Sequence, residues 1–598
     1  MILILGGTTE GRLAVKVADE VGSSYFYSTR GCLQQIVCKH GTHVTGGMEF
    51  LSMMDFCRLH SIRLLIDAAH PFATELHRTV ARVAEALHLP VVCLERKYPK
   101  RTSDMVWCDD YADAIRRLKE DGIDRLLALT GVQTIGKLRD YWKENICWFR
   151  ILNRKESLDI VRTQGFDEQN IVYYEEEGEE ELMNRLHPQA ILTKESGESG
   201  GFLQKVEVAR SCHVPVYVIC RPPLPEGFTL VTGEYGLRKQ IEHHVPGFFP
   251  LRSGYTTGAC ATAAAKAALM NLLGQEDPAV VSISFPNGEE LPLPIAEIRR
   301  EDSAATATVI KDAGDDPDVT NGQQIVATVA FSPRPGIHFL QGEGVGVVTL
   351  PGLGLEIGEP AINRVPRQMM EQELTALYDG GLDITISVPG GRELAKRTFN
   401  PKLGIVDGIS IIGTSGIVRP FSSEAFVDAI RREVEVCAAL GCSCLVINSG
   451  AKSERFLKTE YPELPPQAFV HFGNYIGDTL RIAHEVGMQE VVLGIMIGKA
   501  VKLAEGHLDT HSKKVVMNKV FMKQVADEAG CSQAALLMID QLTLARELWT
   551  LLSSEDAARF FSKLVEHCYA HCLPLLPNAK LTIWLVDEEG NIFNKNWK

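Results

Sequence analysis

Residues 1–22 read MILILGGTTEGRLAVKVADEVG. An apolar run, a glycine-rich turn and an amphipathic stretch follow one another, which predicts the strand, loop and helix that open a doubly wound α/β domain. Small residues in such a turn let the backbone approach a pyrophosphate, whose negative charge is favoured by the N–H groups at the helix start. Because the spacing is GGxxxG and not GxGxxG, a plain strand-to-helix turn is an equal alternative. The predicted cofactor-binding residues of this turn are Gly6, Gly7, Thr8, Thr9 and Gly11.

The second predicted strand, SSYFYSTR (23–30), ends in Arg30, where a dinucleotide site usually carries an acidic residue for the ribose. An arginine at this point suits the 2′-phosphate of NADPH, so we expect Arg30 to contact the cofactor. A solvated arginine at a strand end fits the same pattern. The choice between NADH and NADPH therefore stays open.

Later strands of this region also end in polar residues. RLLIDAAH ends in His70, RLLALTG in Thr130 and Gly131, and AILTKES in a loop with Lys194 and Ser196. Ligands bind beyond the carboxyl ends of the strands of an open α/β sheet. We therefore predict that His70 is catalytic, although a lone histidine before proline also fits a turn. Thr130 and Gly131 are predicted to bind the cofactor, and Lys194 and Ser196 to bind the substrate.

The stretch EHHVPGFFPLRSGYTTGAC (242–260) marks a domain boundary, because prolines and a glycine interrupt the periodicity before a new loop and helix. We predict an α/β domain over 1–245. An α+β domain with alternating strands is predicted over 250–405, followed by an α/β domain with a C-terminal extension over 406–598.

Two further sets of residues are candidates for substrate binding. Thr256 and Thr257 stand at the start of the new helix, where an anion is readily bound, although plain helix capping explains them equally well. Arg392 belongs to a group of basic residues in GGRELAKRTFNPKLG (390–404) that suits a polycarboxylate. A solvated helix face is the alternative for that group.

From residue 406 strands and helices alternate again. GISIIGTSGIVRP (408–420), CLVINSG (444–450) and EVVLGIMIGK (490–499) are predicted to form a parallel three-strand unit with its loops on one edge. Such an edge is the usual ligand site of a doubly wound domain. The predicted cofactor-binding residues are Thr414, Ser415, Gly416, Ser449 and Gly450, and the predicted substrate-binding residues are Arg419, Lys452 and Lys499.

Two polar stretches have residue types that metals prefer. KDAGDDPDVTNG (311–322) is rich in aspartate but lacks the EF-hand spacing, and GHLDTHS (506–512) alternates histidine and aspartate without a partner motif. We therefore predict no metal site.

Composition limits the class of protein. A formal net charge of −15 argues against a broad nucleic-acid surface, and no apolar run reaches the ~18 residues of a membrane span. The first residues, MILILGG, lack the basic flank of a secretory signal. The 15 cysteines contain no CxxC pair, which is typical of a reducing compartment, so we expect a cytoplasmic protein.

The N-terminal part resembles the precorrin-6A reductase family, including its anaerobic cobalt-precorrin-6A counterpart, over roughly residues 1–245. The resemblance rests on ILGGTTEGR, DAAHPFA, LTG, RIL, TKESG and VPVYVICRP, which occur in the order of the family. It implies reduction of the corrin-pathway macrocycle by hydride from NADH or NADPH. The acidic run IVYYEEEGEEEL (171–182) departs from the family pattern.

The C-terminal part resembles the cobalt-precorrin-5B C1-methyltransferase family over roughly residues 250–598. RSGYTTGACATAAAKAAL, GTSGIVRP, NSGAKSE and IGKAVKLAEGHLDTHS carry the resemblance, while KKVVMNKVFM (513–522) is less acidic than the family pattern. It implies methyl transfer from S-adenosylmethionine to C1 of the macrocycle, which produces the substrate of the N-terminal part.

Together the two resemblances imply a fused, bifunctional enzyme that acts on cobalt-containing tetrapyrrole intermediates. They leave open a homo-oligomer and association with other corrin-pathway enzymes. Two alternatives remain. One is a tetrapyrrole-binding carrier with one inactive half, and the other is an unrelated NAD(P)-dependent reductase fused to an α/β transferase.

Overall fold

The structure is a computed structural model of the 598-residue chain, and it describes residues 1–31, 36–174, 178–275, 277–511 and 515–593. The chain divides into two compact units, Met1–Pro250 and Leu251–Lys598. Two stretches of the sequence differ from the family patterns, and part of each lies outside the described residues: Glu175–Glu177 of the acidic run and Lys513–Lys514 of KKVVMNKVFM. Among the described helices, none combines the length and apolar character needed to cross a bilayer.

The first lobe of unit 1 is built on a parallel six-stranded sheet in the order β12-β5-β4-β1-β2-β3. This order reverses between β1 and β4, and the crevice at such a reversal is where open α/β sheets bind ligands. The elements are β1 Ile2–Leu5, α1 Thr9–Ala18, β2 Tyr25–Thr29, β3 Gly41–Thr45, α2 Phe50–Leu59, β4 Leu64–Asp67, α3 Thr74–Leu87 and β5 Val91–Leu94, completed late in the chain by β12 Phe228–Val231 and α9 Glu234–His244.

The second lobe has its own parallel six-stranded sheet in the order β6-β11-β10-β7-β8-β9, which reverses between β7 and β10. Its elements are β6 Val106–Cys108, α4 Tyr111–Glu120, β7 Arg125–Ala128, α5 Arg139–Trp142, β8 Ile146–Ile151, α6 Lys155–Gln164, β9 Ile171–Tyr173, α7 Glu179–Leu186, β10 Ala190–Lys194, α8 Phe202–Ser211 and β11 Val216–Ile219. The α/β class agrees with the sequence. β11 is the last strand of this lobe, and the chain then returns to the first sheet as β12.

The first part of unit 2 surrounds α10, the alanine-rich helix, whose small side chains allow strands and helices to pack closely on nearly every face. A sheet in the order β16-β17-β18-β21-β19 lies against it. The elements are β13 Gly254–Tyr255, α10 Thr257–Leu272, β14 Val280–Ser284, β15 Glu290–Pro294, β16 Glu297–Glu301, β17 Ala304–Ile310, β18 Gln324–Phe331, β19 Ile337–Gln341, β20 Val347–Val348, α11 Arg364–Thr375, β21 Leu382–Ser387, α12 Gly391–Ala395, β22 Ile405–Val406 and β23 Ile417–Val418.

The second part of unit 2 is an α/β sheet in the order β25-β24-β26-β27-β28, parallel except for β28 and reversing between β24 and β26. Its elements are α13 Ser423–Ala439, β24 Cys444–Asn448, α14 Ala451–Glu460, β25 Phe469–His471, α15 Ile476–Val486, β26 Glu490–Met496, α16 Ile497–Ala504, α17 Lys519–Glu528, α18 Gln533–Gln541, α19 Leu548–Leu551, α20 Ser554–Cys572, β27 Lys580–Val586 and β28 Ile592–Phe593.

One strand prediction for this part is wrong. GISIIGTSGIVRP was expected to join the parallel sheet with β24 and β26, but its strand β23 pairs antiparallel with β13 at the start of the unit. Ile411, earlier in the same stretch, forms a bridge with Ile362. The stretch therefore packs against the start of α10, and the third and fourth parallel strands of the sheet are β25 and β27.

Candidate active sites

The glycine turn after β1 packs over a tyrosine ring. A Cβ added at Gly6 would lie 2.4 Å from Cε2 of Tyr27, and one at Gly11 would lie 2.8 Å from the Tyr27 hydroxyl oxygen. Gly7 has φ +103° and donates its N–H to that hydroxyl at 3.0 Å, with open space on its Cβ side. The glycine pattern predicts the close approach of a phosphate. In the structure, Gly6 and Gly11 are required by packing against Tyr27, and Gly7 alone of the three has open space on its Cβ side.

Thr8 joins the two turns that flank the reversal of the first sheet. Its hydroxyl accepts from the N–H of Gly11 at 3.1 Å, which caps α1, and donates to the carbonyl of Ala68 after β4 at 2.7 Å. Thr9 is the first residue of α1. Arg30 is exposed immediately after β2, at the same edge of the sheet. The predicted cofactor residues of this lobe therefore lie along one edge.

A buried ion pair holds the turn that carries His70. Nδ1 of His77 lies 2.6 Å from Oδ2 of Asp67, and Nε2 of His77 lies 3.2 Å from the carbonyl oxygen of His70. Both partners are acceptors, so both ring nitrogens of His77 donate and the ring is an imidazolium. Although burial opposes it, the hydrogen bond and charge of Asp67 raise the pKa of His77. The pair fixes the turn 68–72 from the α3 side.

His70 itself is a neutral imidazole at neutral pH. Burial, followed by the charges of Arg96 and Lys194, lowers its pKa to about 4. Its Nδ1 accepts the N–H of Phe72 at 3.2 Å, so the neutral ring carries its proton on Nε2. His70 is thus suited to donate a hydrogen bond from Nε2, and it is poorly suited to deliver a proton at pH 7.

The two lobes of unit 1 meet through Glu10 and Arg96. Nη2 of Arg96 lies 3.0 Å from Oε2 of Glu10, with both side chains buried, and Nη1 donates to the carbonyl of Ser196 at 2.8 Å. Ser199 of the second lobe donates to Glu10 at 2.5 Å. These contacts place the carboxyl edge of one sheet against the carboxyl edge of the other, with His70 near Lys194.

The predicted residues of the second lobe differ in their exposure to a ligand. Lys194 is half-buried at the end of β10, and burial, with the charges of Lys137 and Lys205, lowers its pKa to about 8. Ser196 is buried and donates to the carbonyl of Gly200 at 3.3 Å, so its hydroxyl braces its own loop. Thr130 is buried, and its hydroxyl oxygen lies 2.6 Å from that of Thr134. Gly131 is half-exposed and has φ +83°.

In unit 2, the threonine hydroxyls at the start of α10 form hydrogen bonds within the protein. Thr256 caps the helix by accepting from the N–H of Ala259 at 3.2 Å, and Thr257 exchanges hydrogen bonds with both backbone groups of Ile412. Gly416 accepts from the N–H of Thr256 at 3.0 Å, and a Cβ at Gly416 would lie 2.3 Å from the Phe285 ring. These side chains therefore hold the stretch before β23. Of the predicted residues here, Thr414 is exposed and Ser415, whose hydroxyl donates to Ile417, is half-exposed.

Carboxylates of the aspartate-rich loop have partners within the protein. Asp315 accepts from the N–H of Arg252 at 2.7 Å, Asp318 pairs with the buried Lys311, and Asp316 accepts from the N–H of Phe421 at 3.3 Å. Among the described residues, no group of His, Cys, Asp or Glu side chains is arranged to hold a metal ion.

The carboxyl edge of the second sheet of unit 2 gathers several predicted residues. Asn448 ends β24, buried, and accepts from the N–H of Gly450 at 3.1 Å; Gly450 has φ +154° with open space on its Cβ side. Lys499, in the first turn of α16, donates to the carbonyl of Gly473 after β25. Burial and the charge of Lys502 lower its pKa to about 8. This edge is the reversal between β24 and β26, the expected ligand position of the sheet.

Nearby residues connect this edge to the stretch before α13. The hydroxyl of Tyr475 donates to Ser423 at 2.8 Å, and the rings of Phe426 and Tyr475 lie 5.5 Å apart. Arg419 is half-exposed, and its carbonyl accepts from Ser422, the N-cap of α13. Phe421 is 74% exposed. Sequence reasoning missed Tyr475 and Phe426, because no strand-end pattern marks them.

Two other predicted residues have partners on the surface, and a large groove lies outside the predicted set. Arg392 on α12 pairs with Asp407, and Lys452 on α14 pairs with Glu588. The groove, of about 880 Å³, lies between the loop 351–359 and α11, and its lining includes Arg364.

Family models match both units of the chain. The model of precorrin-6x reductase CbiJ/CobK matches residues 1–236, the CbiD model matches residues 246–420, and the model of the CbiD C-terminal domain matches residues 509–597. Both resemblances drawn from the sequence motifs are thereby confirmed.

Relatives give the same result for unit 2. The cobalt-precorrin-5B C(1)-methyltransferase of Prosthecochloris aestuarii is 43% identical over 56% of this chain and 94% of its own length. That of Geobacillus kaustophilus is 42% identical over 53% of this chain and 87% of its own length.

Two solved structures are similar in part. CobK precorrin-6A reductase is 21% identical, over 41% of this chain and 97% of that chain, with a TM-score of 0.34. A cobalamin biosynthesis protein (cbiD) from Archaeoglobus fulgidus is 29% identical, over 44% of this chain and 83% of that chain, with a TM-score of 0.24. On the family models and the sequence relatives, the chain belongs to the cobalt-precorrin-5B C(1)-methyltransferase (CbiD) family and carries a precorrin-6x reductase (CbiJ/CobK) domain at its N-terminus.

Proposed function

We propose that this chain is a bifunctional enzyme of cobalamin biosynthesis, which methylates cobalt-precorrin-5B at C1 and then reduces the cobalt-precorrin-6A that results. The observation that carries the proposal is the presence in one chain of both families, each over its own compact unit. The product of one reaction is the substrate of the other. A cytoplasmic location is part of the proposal, and it rests on the pattern of the cysteines.

The first lobe of unit 1 is proposed to bind the nicotinamide cofactor. Its sheet reverses between β1 and β4, and the open side of Gly7 lies at that reversal. Thr8, Thr9 and Arg30 border the same edge, and the exposed guanidinium of Arg30 favours NADPH over NADH. The cofactor, when bound, supplies the hydride.

His70 is proposed to orient the macrocycle against the cofactor. The Asp67–His77 pair fixes its turn, and its neutral ring presents an Nε2 hydrogen-bond donor next to the second lobe. Reduction adds a hydride to one ring carbon and a proton to its neighbour. Since the pKa of His70 is about 4, we propose that the ring positions the substrate and that the proton comes from another group or from water.

In unit 2, S-adenosylmethionine and the macrocycle are proposed to bind at the carboxyl edge of β24 and β26. Ser449 and the open side of Gly450 suit the cofactor, and Lys499 and Arg419 supply positive charge for carboxylates. Lys452 can add to this charge only when it leaves its partner Glu588. S-Adenosylmethionine, when bound, supplies the methyl group. Methyl transfer requires the sulfonium carbon in line with the ring carbon, so positioning provides most of the rate.

The deciding experiment supplies the whole chain with cobalt-precorrin-5B, S-adenosylmethionine and either NADH or NADPH, and follows product mass. We expect the mass of the macrocycle to increase first by that of one methylene group and then by that of two hydrogen atoms. Omission of the nicotinamide should stop the sequence at the methylated product. Binding of the macrocycle without turnover in either half would support the carrier alternative instead, and no observation on this chain favours that alternative or an unrelated reductase.

A further inference from the structure

A group of three lysines surrounds the reversal of the second sheet of unit 1. Lys194 ends β10, Lys137 follows β7 in the turn 136–138, and Lys205 lies in the first turn of α8. The three residues come from separate elements at one edge of the sheet, because β7 and β10 are parallel neighbours and Lys205 donates to the carbonyl of Gly200 in the loop after β10. The charges of Lys137 and Lys205 both act on Lys194. Their convergence concentrates positive charge in a protein whose net charge is −15.

None of the three ammonium groups forms a salt bridge in the described part of the chain. Nζ of Lys194 lies 5.4 Å from the centroid of the Phe72 ring, Nζ of Lys137 lies 5.1 Å from that of Tyr111, and Lys205 donates only to the carbonyl of Gly200, at 3.1 Å. Lys194 and Lys205 are half-buried, and Lys137 is exposed. Repulsion among neighbouring cations is unfavourable, and an anion bound among them relieves it.

Several other lysines of the protein pair with a carboxylate. Lys16 pairs with Glu234 and Lys119 with Glu144 on the surface of unit 1. In unit 2, Lys266 pairs with the buried Glu373. The three converging lysines differ from these in forming no salt bridge within the described residues, and the one carboxylate whose charge acts on Lys205, that of Glu179, pairs with Arg150.

The position of the group decides which anion it meets. Phe72, whose ring contacts Lys194, is two residues beyond His70, and the charge of Lys194 acts on His70. The glycine turn and Arg30 belong to the other lobe, so the phosphates of a nicotinamide cofactor have their expected place there. A ligand bound over His70 would extend its far edge toward the lysines.

We propose that Lys137, Lys194 and Lys205 form a subsite for the side-chain carboxylates of the macrocycle that unit 1 reduces. The inference rests on the proposed function, and it adds two residues that no strand-end pattern indicates. Several carboxylates can be accommodated, because the three cations come from three different elements around one edge. The subsite holds the edge of the macrocycle while its ring lies at His70.

The test measures steady-state reduction of cobalt-precorrin-6A by the full-length chain carrying Lys194→Met, Lys137→Met, Lys205→Met or all three. We expect the KM for the macrocycle to rise about tenfold for Lys194→Met and further for the triple variant, while the KM for the nicotinamide stays unchanged. Lys194→Arg should retain most of the affinity. Lys119→Met, at a paired surface lysine of unit 1, is the matched control. The melting temperature and the KM for the nicotinamide report that unit 1 of each variant is folded.

A second arm measures binding without turnover, by the fluorescence of an octacarboxylate porphyrin titrated with wild-type and triple-variant protein. Weaker binding by the triple variant supports the subsite. An unchanged KM and unchanged porphyrin binding in the triple variant would overturn it, as would a rise confined to the KM for the nicotinamide, which would assign the lysines to the cofactor phosphates. If wild-type protein reduces nothing, the proposed function fails, and the porphyrin arm still decides the subsite.

Discussion

Replacing Asp67 by Asn removes one charge of the buried pair with His77 and keeps the shape of the side chain. Asp67 and His77 are both buried, and the Nδ1–Oδ2 distance is 2.6 Å. Breaking such a pair by neutralising one partner costs about 3–5 kcal/mol, and the hydrogen bond that Asn can still accept returns about 1 kcal/mol. We therefore expect the turn 68–72 and α3 to lose about 2–4 kcal/mol of stability.

The assay is hydrogen exchange of the whole chain, read by mass spectrometry on peptides from residues 62–90, because exchange reports the free energy of opening of one segment. A double-mutant cycle with His77→Leu isolates the interaction between the two side chains. Asp104→Asn is the control, since Asp104 is an exposed carboxylate paired with Arg210 and lies outside these peptides.

The pair also sets a pH dependence. Because the fold raises the pKa of His77, its contribution is present in full below the unfolded value of about 6.5 and is lost as the pH rises through the folded value. The difference in protection between wild type and His77→Leu should therefore shrink with rising pH. Additive effects in the cycle, or a difference that grows with pH, would refute the charged pair.

Three other changes test the two sites. Gly6→Val should abolish nicotinamide binding and loosen the first lobe, because the valine side chain would overlap the Tyr27 ring, while methylation persists. Gly22→Ala, at a position with open space, is the control and should affect neither activity. A Gly6→Val variant that still binds the cofactor would contradict this. Arg419→Ala should raise the KM for methylation about tenfold without lowering the melting temperature, and unchanged dissociation constants for both ligands would remove its assignment. The rate of acetylation of Lys499, measured by mass spectrometry as a function of pH, should have its midpoint near pH 8, and Lys502→Met should move that midpoint upward. An unmoved midpoint would exclude repulsion from Lys502 as a cause of the lowered pKa.

The sequence predicted those parts of the fold that depend on local pattern. The strand, turn and helix of residues 1–22 form as expected, and α10 begins at Thr257 after its threonine cap. Pairing between distant strands was not predictable in the same way. The return of β12 to the first sheet and the pairing of β23 with β13 join segments far apart in sequence, and alternation of apolar residues does not specify a partner.

The candidate site shows the same division. His70 and Lys194 were found because each stands at the end of an apolar strand. The charge state of His70 was not predictable, because it depends on burial and on the charges of Arg96 and Lys194, which come from other elements. Tyr27, the reason for two of the glycines, lies on a neighbouring strand. Contacts of this kind arise only once the sheet order is known.

Both units have an ammonium group in a similar environment. Lys194 ends β10 of one unit, and Lys499 follows β26 of the other, each at the reversal of a parallel sheet. Burial and like charge lower the pKa of each to about 8, so part of each population is neutral at that pH. A bound carboxylate would favour the charged form and raise the pKa again. On the proposed function, binding of the macrocycle near pH 8 is therefore coupled to uptake of protons at both sites. The protein, although acidic overall, would bind this polyanion through a few lysines, and the bound ligand would relieve the repulsion between them.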